Sequence, residues 1–383
     1  MSKKELPNNA YTLHNKVDLI RGGSYYFNKL RNLIQQATSS VHIHIYVWDD
    51  DKTGTAVGEA LIEAANRNVS VYVIADGYAS QCLSKEFIRN MKAHGVQFRY
   101  FEPLLRCSHF YFGRRMHEKL VVIDGSKALV GGINFADRYN DVDGAPPWLD
   151  YALYVEGEAA AELYSYCASY WGQENLPAAE TMHATDTFLY SVDVVYNDWV
   201  KGKQQIWNTY FHFFNQARES ITIMCSYFLP GRVLRNRLIM AAKRGVRVKL
   251  ILAGPSDVML AKYAERYLYP WMLKNGIEIY EYQPAVLHAK MMVVDGRWVT
   301  IGSFNVNNVS AYASIELNLN IRNRRFASSV QSRMNAIIEK NCIEVTERNF
   351  ISNAGFLKRF LQKSAYELVR VILNLSTFYF KHE

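Results

Sequence analysis

Residues 116–134 read MHEKLVVIDGSKALVGGIN, and residues 287–305 read LHAKMMVVDGRWVTIGSFN. Both fit one template: His, any residue, Lys, four residues, Asp, six residues, Gly-Gly or Gly-Ser, any residue, Asn. The first copy supplies His117, Lys119, Asp124, Gly131, Gly132 and Asn134. The second supplies His288, Lys290, Asp295, Gly302, Ser303 and Asn305. His288 lies as far beyond His117 as Asn305 lies beyond Asn134, so the two copies keep one register throughout.

KLVVID and KMMVVD are apolar, partly β-branched runs that end in Asp-Gly, a turn signal, so each reads as a buried strand. Residues two apart in a strand share a face, so His117 projects with Lys119 and His288 with Lys290. A lysine buried beside a histidine disfavours the imidazolium and needs an anion to offset its charge. A phosphate oxyanion meets that need. The Gly-Gly-Ile-Asn and Gly-Ser-Phe-Asn turns, with Gly132 and Ser303, are expected to bring backbone N–H groups and the amides of Asn134 and Asn305 to the same anion. Two such half-sites face to face would form one reaction centre. One neutral histidine attacks phosphorus, and the other, protonated, delivers its proton to the departing alkoxide. The lysines and asparagines hold the equatorial oxygens. Because the lysines supply the positive charge, neither a metal nor a cofactor is expected.

The repetition extends beyond the motifs. FHFFNQARESITIMCSYFLPG parallels LRNLIQQATSSVHIHIYVWDD, and LIMAAKRGVRVKLILAGPSD parallels LIEAANRNVSVYVIADGYAS. Strand and helix patterns alternate in each half, which predicts an α/β fold with helices covering a sheet. Duplication predicts pseudo-twofold symmetry, with one site at the interface. The expected division is a first domain over 1–180, a second over 181–350, and a C-terminal amphipathic helix over 351–383, with the boundary near 177–186.

The motif pair resembles that of the phospholipase D superfamily, whose HxKxxxxD pattern occurs here twice, each copy with its G(G/S)xN tail. The resemblance implies two pseudo-symmetric domains, each a mixed β-sheet flanked by helices, with the active site between them. It implies catalytic His117, Lys119, Asp124, His288, Lys290 and Asp295, with His117 as nucleophile and His288 as general acid. In that family a carboxylate on the strand after each motif orients the histidine. Asp150 fits this place in the first half, for His117, and Glu316 in the second, for His288. Asp124 and Asp295 close their strands and read as structural.

YVWDDDKTG, VIADGYAS, GGINFADRYND and PWLDYALYVEG are similar to stretches of bacterial cardiolipin synthases of the phospholipase D type. That resemblance implies transfer of a phosphatidyl group from one phosphatidylglycerol through a phosphohistidine to a second, with glycerol leaving. Hydrolysis to phosphatidic acid, or phosphodiester cleavage of nucleic acid, would use the same motifs. No basic-aromatic run long enough to track a nucleic-acid strand is present, so anionic phospholipid and a membrane surface are the expected partners.

The rest of the chain is consistent with this reading. The 383 residues are 49% hydrophobic and 21% charged, which excludes a disordered chain, and the net charge of +8 suits an anionic partner. Five cysteines without CxxC spacing read as reduced thiols with no metal site. The N-terminus lacks the apolar run of a signal peptide, and no stretch reaches the roughly 20 apolar residues of a spanning helix. A cytoplasmic protein attached peripherally to the inner face of the membrane is therefore expected. Asp49-Asp50-Asp51 reads as a solvated turn, with cation binding as the alternative. Arg114 and Arg115, just before the first motif, are candidates for a lipid headgroup phosphate. Tyr78, Tyr227 and Phe228 are aromatic candidates for the mouth. In the tail, Leu357, Leu361, Ala365, Leu368, Ile372, Leu375 and Tyr379 form one apolar helical stripe, either docked on the second domain or lying on an anionic bilayer.

Overall fold

The Asp-Gly turns that close the two motifs set the frame. Asp124 and Gly125 have φ of 49° and 66°, and Asp295 and Gly296 have 50° and 55°. Aspartate and glycine tolerate this left-handed region, so each motif strand reverses at once into the next. Each turn is anchored by its own carboxylate. Asp124 accepts hydrogen bonds from the backbone N–H groups of Thr38, Ser39 and Ser40. Asp295 does the same for Arg218, Glu219 and Ser220.

The computed structural model describes residues 11–103, 114–173, 190–351 and 355–377. The first half contributes β1 (Asn15–Arg21), β2 (Ser40–Ile45), β3 (Ser70–Asp76), β4 (Gln97–Phe101), β5 (Arg115–Met116), β6 (Leu120–Ile123), β7 (Lys127–Gly131) and β8 (Tyr151–Gly157). The second contributes β9 (Ser191–Asp198), β10 (Lys203–Gln204), β11 (Ser220–Cys225), β12 (Arg247–Ala253), β13 (Glu278–Tyr282), β14 (Met291–Val294), β15 (Trp298–Gly302), β16 (Ser314–Arg322) and β17 (Cys342–Val345). The first sheet runs β1-β8-β7-β6-β2-β3-β4. The second runs β9-β16-β15-β14-β11-β12-β13 in the same order, extended by β10 and β17 at its edges. Both are mixed. The β2-β3-β4 and β11-β12-β13 runs are parallel, and the motif hairpins are antiparallel. The boundary expected near 177–186 lies outside the described residues.

The motif strands are buried on both faces, which is why they read as unbroken apolar runs. Leu120 and Val122, with Met291 and Val293 from the second half, enter one core shared between the sheets. Val121 and Ile123 turn to the outer core of the first half, and Met292 and Val294 to that of the second. The helix Lys52–Asn66 starts where it does because Asp51 caps it by accepting from the Gly54 N–H. Asp49 pairs with Arg138, so the acidic triplet is a cap and an ion pair. No cluster able to hold a metal is found among the described residues.

The last helix, Phe356–Thr377, docks, but not through the stripe read from the sequence. Gln362 and Ala365 are buried, and Tyr366 and Val369 pack on the second-half core. Of the stripe, Ala365 is covered, whereas Leu357, Leu361, Leu368 and Ile372 stay exposed. Tyr379 lies outside the described residues.

Replacing the Asp124 carboxylate should act on stability. Asp124→Ala is expected to lower the unfolding free energy by about 1–3 kcal/mol in urea titrations, through loss of a shared acceptor for three backbone donors. Turnover per folded molecule should stay near wild type, and a large loss of turnover at full folding would contradict a purely structural role.

Candidate active site

The two motif segments meet because each is stitched to the other half. His117 N–H donates to the Ile315 carbonyl at 2.9 Å, and Arg115–Met116 (β5) pairs in parallel with Ser314–Ile315 of β16. His288 N–H donates to the Leu149 carbonyl at 2.8 Å, and Leu149 N–H donates to Val286. The residue that follows each acceptor is a carboxylate, and it takes the imidazole of the histidine just fixed. His117 Nδ1 lies 2.9 Å from Glu316 Oε2, and His288 Nδ1 lies 2.6 Å from Asp150 Oδ2. Asp150 and Glu316 therefore stand where an orienting carboxylate should, but the pairing is crossed. The expected same-half pairs, His117 with Asp150 and His288 with Glu316, do not form. Within one half, β7 separates the motif strand from the strand after the carboxylate, so only the opposite half brings it into reach.

Both histidines face one cavity of about 370 Å³. Its other walls include Tyr46, Asn134, Arg138, Tyr139, Trp148 and Tyr227. Lys119 and Lys290 lie behind the histidines and are almost fully buried. Each ammonium donates to the carbonyl of its own histidine, His117 or His288, and Lys290 also to Ser226 Oγ. Burial, with repulsion from Lys290, pushes the Lys119 ammonium down to about 7. Burial also lowers Lys290 and, opposed by Glu316, His117. Around His288 and Asp150 it pushes the carboxyl up to about 7 and the imidazole well down.

The remaining candidates separate clearly. Asn134 lines the cavity, accepting from Val47 N–H and donating to Tyr139 OH. Asn305 is buried, with its side-chain oxygen lacking a partner. Gly132 and Ser303 do not offer N–H groups to the cavity. Their segments continue the sheet, so Gly132 N–H donates to Tyr151 and Ser303 N–H to Leu317. They act on the carboxylates instead. Ser303 Oγ donates to Glu316 at 2.5 Å, while a Cβ at Gly132 would sit 2.5 Å from Asp150 Oδ1. Asp124 and Asp295 close the far ends of the motif strands and do not reach the cavity. Arg114 is buried between Glu102 and Asp198, which satisfy its charge, and Arg115 stacks over Tyr78. Neither lines the cavity. Tyr227 is on the wall, hydrogen-bonded to Asp257, whereas Phe228 is core.

Among the wall residues not singled out in the sequence, Arg138, Tyr139 and Trp148 stand out. Tyr139 OH lies 3.4 Å from His288 Nε2, and Arg138 stacks over the Tyr139 and Trp148 rings. Their signal was position, in the Asp-Arg-Tyr and Pro-Pro-Trp segments between the first motif and Asp150.

A bound dianion should recharge Lys119. Sulfate is expected to bind with proton uptake, about tenfold tighter at pH 6 than at pH 9, because affinity present below about 7 falls as Lys119 loses its proton. Ionisation of Asp150 over the same range acts in the same direction. Calorimetry in buffers of different ionisation heat reads both quantities, and a flat profile without proton uptake would mean that Lys119 stays charged in the empty site.

The chain matches the family described as cardiolipin synthase, PLD-like domain, over residues 30–144 and 210–338. It is 32% identical to cardiolipin synthase B of Escherichia coli (strain K12) over 348 residues, covering 87% of this chain and 83% of the relative. It is 28% identical to cardiolipin synthase of Halalkalibacterium halodurans over 327 residues, covering 82% of this chain and 64% of that one. Among solved structures, the phosphatidylserine synthase of Haemophilus influenzae Rd KW20 superposes with a TM-score of 0.74 at 14% identity, over 96% of this chain and 97% of that one. This low-identity match supports the fold, and the family and relative matches go further: the chain is a member of the phospholipase D-like cardiolipin synthase family.

Proposed function

We propose that this protein is a cardiolipin synthase that transfers a phosphatidyl group between two phosphatidylglycerol molecules. The observation that carries the reading is the pair of imidazoles facing one cavity, each backed by a carboxylate, with two buried lysines behind them. Bound phosphatidylglycerol brings a phosphate anion that restores the proton burial strips from the His288 imidazole; His117 Nε2 then attacks the phosphorus while His288 gives that proton to the departing glycerol oxygen. The phosphohistidine then receives the second lipid. His288 takes the proton of that lipid's hydroxyl, the hydroxyl oxygen attacks phosphorus, and cardiolipin leaves with His117 restored. Glu316 and Asp150 keep the two Nδ1 atoms protonated and the Nε2 atoms directed at phosphorus. Lys119 and Lys290 balance the charge of the transferring group.

His117 is favoured as nucleophile because Tyr139 OH stands beside Nε2 of His288, where it can share a proton with the group that must give and take one. Asp124 and Asp295 are assigned structural roles, and Arg138 replaces Arg114 and Arg115 as the guanidinium for a headgroup phosphate. The division into two phospholipase D-like domains and a C-terminal helix is retained. The enzyme works at the inner face of the membrane as a peripheral protein, a placement consistent with free cysteines at 82, 167, 225 and 342.

Purified protein with phosphatidylglycerol vesicles should yield cardiolipin and glycerol by mass spectrometry. His117→Ala should abolish product, and His288→Ala should slow it by about 10²–10⁴-fold. Rapid quenching should trap phosphatidyl-enzyme in His288→Ala and none in His117→Ala, and the reverse would exchange the two roles. Phosphatidic acid as the only product would make the enzyme a hydrolase. Cleavage of single-stranded DNA without lipid turnover would overturn the lipid substrate.

A further inference from the structure

The last helix carries more apolar surface than its docking face uses. Gln362, Ala365, Tyr366 and Val369 face the second domain. At 100° per residue, Leu357, Phe360, Leu361, Leu368, Val371 and Ile372 fall on a different arc, and each is 46–70% exposed. Arg359, Lys363, Glu367 and Arg370 occupy the arc between them, with Arg370 paired to Glu367 at 2.7 Å. The helix thus has an inward apolar face, a mainly basic flank and a second apolar face open to solvent. Contiguous exposed apolar surface of this kind marks an interaction site.

Its position shows what covers it. The last helix lies along helix Met259–Tyr267, where Tyr267 stacks on Tyr366 at 4.8 Å. Val258 and Ala261 from that side, and Val369 from the last helix, line the catalytic cavity itself. Val258 on the cavity wall and its chain neighbours Met259 and Leu260 are 44%, 57% and 37% exposed. The last helix thus reaches the cavity wall at Val369, whose chain neighbour Leu368 belongs to the open apolar face. No helix among the described residues is long and apolar enough to cross a membrane.

We infer that this second apolar face, together with Val258–Leu260, docks on an anionic phospholipid bilayer and holds the cavity mouth at the lipid surface. The inference rests on the lipid reading of the site. The apolar side chains enter the headgroup–acyl boundary, the basic flank meets anionic headgroups, and the lipid reaches His117 without crossing water.

The test uses the full chain and flotation with vesicles of equal phosphatidylglycerol and phosphatidylcholine, against phosphatidylcholine alone. A variant carrying Phe360→Glu, Leu368→Glu and Ile372→Glu should lose binding to the anionic vesicles by about tenfold or more, whereas Val233→Glu, at an equally exposed site elsewhere, should not. The triple variant should turn over dispersed short-chain phosphatidylglycerol at the wild-type rate, which shows that the fold and the site survive. Wild-type flotation by the triple variant would overturn the inference. So would a wild-type dimer that the triple variant reduces to monomer while vesicle binding persists, since a second copy would then cover the face. Flotation lost in the variant, with no phosphatidylglycerol turnover by wild type, would sink the reaction proposed above and leave the docking face standing.

Discussion

Each motif histidine is held by the half of the protein to which it does not belong. His117 is fixed by the Ile315 carbonyl and the Glu316 carboxylate, and His288 by Leu149 and Asp150. One backbone bond sets where the imidazole starts, and the next residue's carboxylate sets which nitrogen carries the proton. Neither half can form a working histidine alone. The shared core between the sheets, with Leu120 and Val122 against Met291 and Val293, is thus a condition of the chemistry as well as of stability. A small shift between the halves would change both histidine–carboxylate distances together.

The symmetry is broken at the points that matter for dividing the two roles. Asp150 is the shorter carboxylate, and Gly132 makes room for it, since any Cβ there would collide with its oxygens. Glu316 is longer and is steadied by the Ser303 hydroxyl, which also accepts from Leu317 N–H. The Gly/Ser difference between the motifs is therefore a packing difference under the two carboxylates. Behind the first motif strand, Glu118 is fully buried with His44 and Tyr166, whereas the second half has Ala289 at that place. Above the strands, Tyr139 stands beside His288, and Tyr46 packs edge-on against His117. The histidines share a scaffold but not an environment.

The two motifs, the repeat and both sheets were legible in the sequence, because strict spacing and doubly buried apolar strands leave few alternatives. Asp150 and Glu316 were legible as carboxylates on the following strand. Their crossed partners were not, because pairing between halves depends on contacts remote in sequence, such as Leu149 with Leu287. Arg114 failed as a headgroup cation for a similar reason: Asp198, which neutralises it, comes from the other half. The glycine-rich tails failed because a Gly-Gly or Gly-Ser pair reads equally as an anion-binding turn or as a strand pressed against a neighbour. In the last helix a single stripe was visible, while the sequence holds two apolar arcs that only docking tells apart.

Charge decides how such a site can rest empty and still bind an anion. Two lysines, two carboxylates and two histidines lie in one poorly solvated space, and full ionisation there is costly. Burial answers by pulling Lys119 down and Asp150 up to about 7, which reduces the charge each of them carries near neutral pH. An incoming phosphodiester reverses this balance. Its negative charge makes the protonated lysines favourable, and the extra charge that develops in the transition state makes them more so. The positive charge is thus strongest when phosphate is present. That arrangement stabilises the reacting state without holding a permanent cationic cluster in the core, where it would oppose the contact between the two halves.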